Sequence, residues 1–294
     1  MPIAPLNCCI TLTAHFFKLQ ILFSISSRAN FRLLHNMEIL LILISVVFAG
    51  LLIKTFYARR KPVYLESLPE SYKTVLNEHV EFYKDLDGQK KIEFEKRMQS
   101  FLTRVRITGV GTTVEDLDKT LIAASAIIPI FAFHDWEYLN LNEVLLYPDS
   151  FNENFEQEGN ERHTLGVVGT GAYQNIMILS KNELRNDFLN KTGKDNTAIH
   201  EFVHLIDKTD GAVDGIPEFL LSKKYVLPWL NLMQREMKQI MSNRSDIDPY
   251  GATDPAEFFA VVSEYFFERP ELLQNKHPEL FDLLVRIFKG NAPE

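Results

Sequence analysis

His200-Glu201-Phe202-Val203-His204 has the residue types and the spacing of a hydrolytic metal site. Histidines four apart on an α-helix leave the same face one turn apart, so both rings can grip one ion. Glu201 between them can reach a water on that ion and take its proton. The ion that this HExxH pattern calls for is a single Zn2+. Ala198 and Ile199 before it, and Leu205 and Ile206 after it, suit a helix that crosses an apolar interior. Low dielectric there strengthens the ion's pull on its water. The five-residue pattern arises by chance in on the order of one per cent of chains this long.

Catalytic zinc usually takes three protein ligands and keeps one position open, so a third donor is required. Asp207, Asp210, Asp214, Glu218, Glu257, Glu264, Glu268 and His277 all lie downstream. Asp207 and Asp210 are close in sequence, where they better serve to orient a histidine or to turn the chain before Gly211. The stretch from Tyr250 to Phe267 is a stronger source. Thr253 or Asp254 can cap a helix that has Pro255 at its first position. Glu257 and Glu264 then share one face amid apolar neighbours, where a carboxylate is costly unless paired or metal-bound. One of the two is expected to be the ligand and the other its support; spacing does not choose between them. His134 and His163 have no matching partner in sequence, His277 sits before Pro278 at a helix start, and all three are read as non-catalytic.

The elements that must position these residues follow a helix, sheet, helix order. Leu65 to Asp85 and Gln89 to Val105 read as helices, and Thr112-Thr113 with Glu115 and Asp116 open a long apolar helix ending before Pro129. Glu143 to Tyr147 reads as a strand, and Ser150 to Glu161 as a polar loop. Leu165 to Val168 and Asn175 to Leu179 read as two strands joined hairpin-fashion by Gly169-Thr170-Gly171. After Ser180 the pattern is helical almost to the end. The fold class is therefore α+β, mostly helical with a small β-sheet.

Composition narrows the partners. The chain carries 31 basic and 39 acidic residues, but residues 1–58 hold Lys18, Arg28, Arg32 and Lys54 against Glu38 alone. Removing these leaves 27 basic and 38 acidic residues, a net charge of −11 for the body. So acidic a body argues against direct nucleic-acid binding. The only cysteines, Cys8 and Cys9, are adjacent and offer no disulfide framework, which fits a reducing compartment.

Ile39 to Ile53 is an unbroken aliphatic and small-residue run with Ser45 as its only polar member. Extended to Ala58 it reaches about 20 residues, enough to span a bilayer with Lys54 at the interface. Positive charge follows the run at Arg59-Arg60-Lys61, which disfavours a cleaved signal peptide. Residues 1–36 read as a non-native or disordered extension, with Met37 as the expected initiator. The expected division is thus 1–36 extension, 37–58 transmembrane anchor and 59–294 metallopeptidase domain. From Met37 the positive-inside rule places the body in the cytoplasm, on a single-pass membrane protein.

The segments His200 to Asp207, Asp210-Gly211, Asp214 to Pro217 and Asp254 to Phe267, with the strand Glu143 to Pro148, resemble the Mlc titration factor A family of zinc metallopeptidases. The likeness runs from about Leu65 to Phe288. It implies a zincin fold related to the catalytic domain of anthrax lethal factor, and it selects Glu257 as the third zinc ligand. By the same likeness Tyr250 matches an active-site tyrosine whose hydroxyl could stabilise an oxyanion. Zincins hold an extended peptide along a strand edge beside the metal helix; Asn175 to Leu179 is the candidate edge, and a plain core strand is its equal alternative. The implied function is a zinc peptidase acting on peptides or proteins; the family shows aminopeptidase activity, while the residues leave aminopeptidase and endopeptidase open. The alternative is a membrane-anchored protein that sequesters a transcriptional regulator. An anchor departs from the soluble prototype of the family.

Overall fold

Strand β1 (Arg106–Gly109) begins the sheet, and its pairing carries the order of the whole layer. The computed structural model describes residues 67–150, 166–168 and 175–289. In chain order these form α1 (Glu70–His79), α2 (Glu81–Lys84), α3 (Gly88–Arg104), β1, α4 (Asp116–Ile127), β2 (Glu143–Tyr147), β3 (Gly166–Val168) and β4 (Ile176–Ser180). There follow α5 (Lys181–Leu189), α6 (Thr197–Asp207), α7 (Lys223–Met241), α8 (Pro255–Glu268), α9 (Pro270–Lys276) and α10 (Pro278–Phe288). Short 3-10 turns sit at Lys208–Asp210 and Pro249–Ala252. The extension and the anchor expected over 1–58, and the loop expected over Ser150 to Glu161 beyond its first residue, lie outside the described residues. Among the described residues no helix is long and apolar enough to cross a membrane.

The sheet order is β1-β2-β4-β3. β1, β2 and β4 are parallel, with Thr108 opposite Leu145 and Leu145 opposite Ile178. β3 runs antiparallel to β4, Val167 opposite Ile178, as the hairpin reading requires. This order corrects one reading. The candidate edge, Asn175 to Leu179, is interior, because β4 pairs on both sides and Met177 and Leu179 are fully buried. The outer strand on that side is β3, which packs beside α6. A run as apolar as Ile176-Met177-Ile178-Leu179 suits a strand covered on both faces and loses too much if exposed.

Local signals explain most boundaries. The capping box of α4 is built from Glu115 and Asp118, not from the threonines before them. The single helix expected from Leu65 to Asp85 is broken at Val80, whose extended backbone (φ −106°, ψ 95°) turns a fully buried side chain into the core. Asp254 caps α8 by accepting the N–H groups of Ala256 and Glu257 at 2.8 and 3.0 Å, with Pro255 in the first turn.

Two helices form the centre of the core. α6 buries Ala198, Ile199, Phe202, Val203 and Ile206, and the Phe202 ring packs on Tyr138 and Phe101 at 5.0 and 5.8 Å. α8 buries Phe258, Phe259, Ala260 and Val262 without exposure and packs directly on α6. Trp229 of α7 closes the far side against Phe258 and Phe259. Burying these side chains contributes roughly 1.5–3 kcal/mol each, so the facing surfaces of α6 and α8 are held rigidly.

Candidate metal centre

Asn196 sets the start of the helix that carries the two histidines. Its side chain caps α6 by accepting the N–H of Ile199 at 3.0 Å, and its amide group donates to Glu268 Oε1 at 2.8 Å. One turn inside α6, the Nε2 atoms of His200 and His204 lie 3.0 Å apart. Glu257, in the first turn of α8, brings Oε2 to 2.9 Å from His200 Nε2 and 3.4 Å from His204 Nε2. The three donor atoms lie within 4.8 Å of one another. Ligands placed 2.0–2.1 Å from one tetrahedral ion stand about 3.3 Å apart, so the spacing fits a single metal.

Glu264 supports the pair from behind. Its Oε1 lies 2.6 Å from His200 Nδ1, and its Oε2 accepts the backbone N–H of Asn196 at 2.5 Å. A carboxylate on Nδ1 keeps the proton there and leaves Nε2 free to act as a donor to metal. Of the two glutamates left open by spacing, Glu257 faces the Nε2 atoms of both histidines and Glu264 stands behind His200. Both face α6 because seven residues make about two turns.

Electrostatics around the cluster are one-sided. Burial pushes the Glu201 carboxyl up, with Glu257 and Glu264 adding to it while His200 and His204 oppose. Burial also works against charge on Glu257, but hydrogen bonds to His200 and His204 overcome it and hold its carboxyl well below the ordinary range. At His200 burial disfavours the charged ring, yet Glu264, Glu257 and Glu201 raise its pKa well above an ordinary histidine's. Tyr250 sits at the mouth, half exposed, with its ring centroid 6.1 Å from that of His200. Burial and the charges of Glu257 and Glu201 push its hydroxyl up to about 12, so it remains a proton donor at neutral pH.

A scan against family models matches residues 55–289 to the glucose-regulated metallo-peptidase M90 family. The chain belongs to that family. A protein of Synechocystis is 30% identical over 243 residues, covering 78% of this chain and 87% of its own length. The Mlc titration factor A of Salmonella arizonae is 30% identical over 224 residues, 71% of this chain and 87% of that protein. That of Serratia proteamaculans is 33% identical over 160 residues, half of this chain and 60% of the relative. The resemblance noted from the motifs is therefore a family membership, and His200, His204 and Glu257 form a group that could hold a metal ion.

The other acids weighed as ligands have other partners. Asp210 and Asp214 accept the N–H groups of Ala212 and Ile216 in the turn after α6, and Glu218 is exposed. His277 is held between Asp246 and Glu236, and His134 pairs with Glu93; His163 lies outside the described residues. Asp207 is 1% exposed and accepts the N–H of Gly215 at 2.9 Å.

Sequence reasoning passed over Asn196, Gly215 and Asp187. Asn196 carried a readable cap signal, but its bond to Glu268 spans 72 residues and has no local trace. Gly215 has φ +72°, and a Cβ there would lie 2.1 Å from the Pro255 carbonyl oxygen, so only glycine fits against the start of α8. Asp187 accepts the Thr197 N–H at 2.8 Å and steadies the same helix start as Asn196.

Proposed function

We propose that this chain is a zinc-dependent peptidase, most simply an aminopeptidase, with Glu201 as general base. The observation that carries the reading is the buried Glu201 set between two histidines whose free nitrogens converge on the Glu257 carboxylate. A Zn2+ held by His200, His204 and Glu257 would supply Lewis acidity, polarising the scissile carbonyl and making a water nucleophilic near neutral pH. Glu201 takes the proton of the attacking water and returns it to the leaving amine; its raised pKa suits both transfers. Tyr250 donates its hydroxyl proton to the developing oxyanion from the mouth of the site. The peptide lies along β3, because it is the outer strand on the side of α6.

Chelation should abolish hydrolysis and Zn2+ should restore it. The purified protein should cut peptides with a free N-terminus and leave N-acetylated ones intact; equal rates on both would make it an endopeptidase. The names of the relatives favour a second reading, a protein that sequesters a transcriptional regulator with zinc structural or regulatory. A pull-down with Glu201→Gln separates the two. A partner held equally by wild type and variant is a binding target, and one held only by the variant is a substrate. The anchor at 37–58 and a cytoplasmic body at the bacterial inner membrane complete the proposal; recovery of the intact protein in the soluble fraction would contradict it.

A further inference from the structure

Among the described residues, two polar atoms of α6 are buried and have no hydrogen-bond partner: Nδ1 of His204 and Oδ1 of Asp207. Buried polar atoms are rarely left so, and each calls for an explanation. Three residues apart on a helix, they belong to adjoining turns of one face. His204 turns Nε2 toward His200 and Glu257, so the neutral ring that leaves Nε2 free carries its proton on Nδ1. One orphan is therefore a donor and the other an acceptor.

His200 provides the matching case. Glu264 uses one oxygen on His200 Nδ1 and the other on the backbone N–H of Asn196. Asp207 has the same arrangement half made, with Oδ2 on the backbone N–H of Gly215 and Oδ1 free. Gly215 in turn abuts Pro255 at the start of the helix that carries Glu257, and its carbonyl accepts the Trp229 indole N–H at 2.7 Å.

We propose that Asp207 is the positioning residue of His204, with Oδ1 accepting the Nδ1 proton directly or across one water, while Oδ2 ties the metal helix to the start of α8. The inference rests on the reading of His200, His204 and Glu257 as metal ligands. One carboxylate would then steady two of the three, His204 through its ring and Glu257 through Gly215.

The test uses the full chain and Zn2+ alone, titrated in competition with a chromogenic chelator. Asp207→Asn keeps an oxygen for the Gly215 N–H but puts an amide group where the acceptor was. Its zinc affinity should fall about 10–100-fold while the metal-free melting temperature stays near wild type. A second measurement needs no variant. In zinc-loaded wild type, nitrogen-15 NMR should show His204 protonated on Nδ1, with that proton exchanging slowly with water. Wild-type zinc affinity in Asp207→Asn, or a His204 Nδ1 proton exchanging at the solvent rate, would overturn the proposal. If His204→Ala binds zinc as tightly as wild type, it is the ligand reading beneath the proposal that fails.

Discussion

Buried carboxylates cluster in two places in this fold, and the partners they are given differ. At the start of α4, Asp118 is fully buried and Glu115 caps the helix. Lys181 lies 2.9 and 3.4 Å from Glu115 and Asp118, and Arg185 lies 3.0 and 2.7 Å from the same two. Two permanent cations answer two anions, and the set ties α5 to α4. Between α6 and α8, Glu201, Glu257 and Glu264 gather with Asp187 and Glu268 behind them. The partners of Glu257, Glu264, Asp187 and Glu268 are the two histidines, Asn196 and the N–H of Thr197, and among the described residues no lysine or arginine ion pair is made with any of the five. A charge balanced by Lys and Arg holds a fold together. A surplus of carboxylate around two imidazoles is balanced by protons or by a divalent cation, which is the electrostatic condition of a metal centre.

Breaking the balanced cluster should cost stability alone. Asp118→Ala leaves Lys181 without its most buried partner and should lower folding stability by about 3–5 kcal/mol, read by urea denaturation, with zinc affinity unchanged. Tyr250→Phe should do the reverse, leaving stability intact and reducing kcat by about 10²–10³-fold if its hydroxyl meets the oxyanion. Glu264→Gln should weaken zinc binding about 10–100-fold, as measured by chelator competition, because His200 loses the carboxylate that fixes its tautomer.

The smallest expected effect is on pH dependence. Burial, with the charge of Glu264, pushes Asp187 from 3.8 and Glu268 from 4.5 up to about 7 each. Because the folded values exceed the unfolded ones, the stability these groups contribute is complete below about pH 4 and lost as pH rises through 7. Asp246 and Glu257, whose carboxyls are held low, titrate below that window. The metal-free protein should therefore be more stable at pH 5 than at pH 8, and Asp187→Asn should flatten the slope.

How much of this was legible in the sequence depends on the range of the interaction. The helix that carries His200 and His204, its apolar face and the cap at Asp254 are local patterns, and they stand where spacing puts them. The pairing of Glu257 and Glu264 with one histidine needed two helices to be packed, so spacing narrowed it to a choice of two. Whether Asn175 to Leu179 was an edge or a core strand stayed open because an apolar run looks alike in both places; strand order makes it a core strand. The loop joining Asp207 to Gly215 and Pro255 left no periodic signal, since its meaning lies in a close backbone approach.

The central claim is that the unbalanced cluster is a metal centre in which Glu201 moves the proton. Peptide hydrolysis by Glu201→Gln, with zinc content measured on the same sample, tests it most directly. One equivalent of zinc retained and turnover reduced by about 10²–10⁴-fold is the predicted result. Undiminished turnover by the zinc-loaded variant would contradict it.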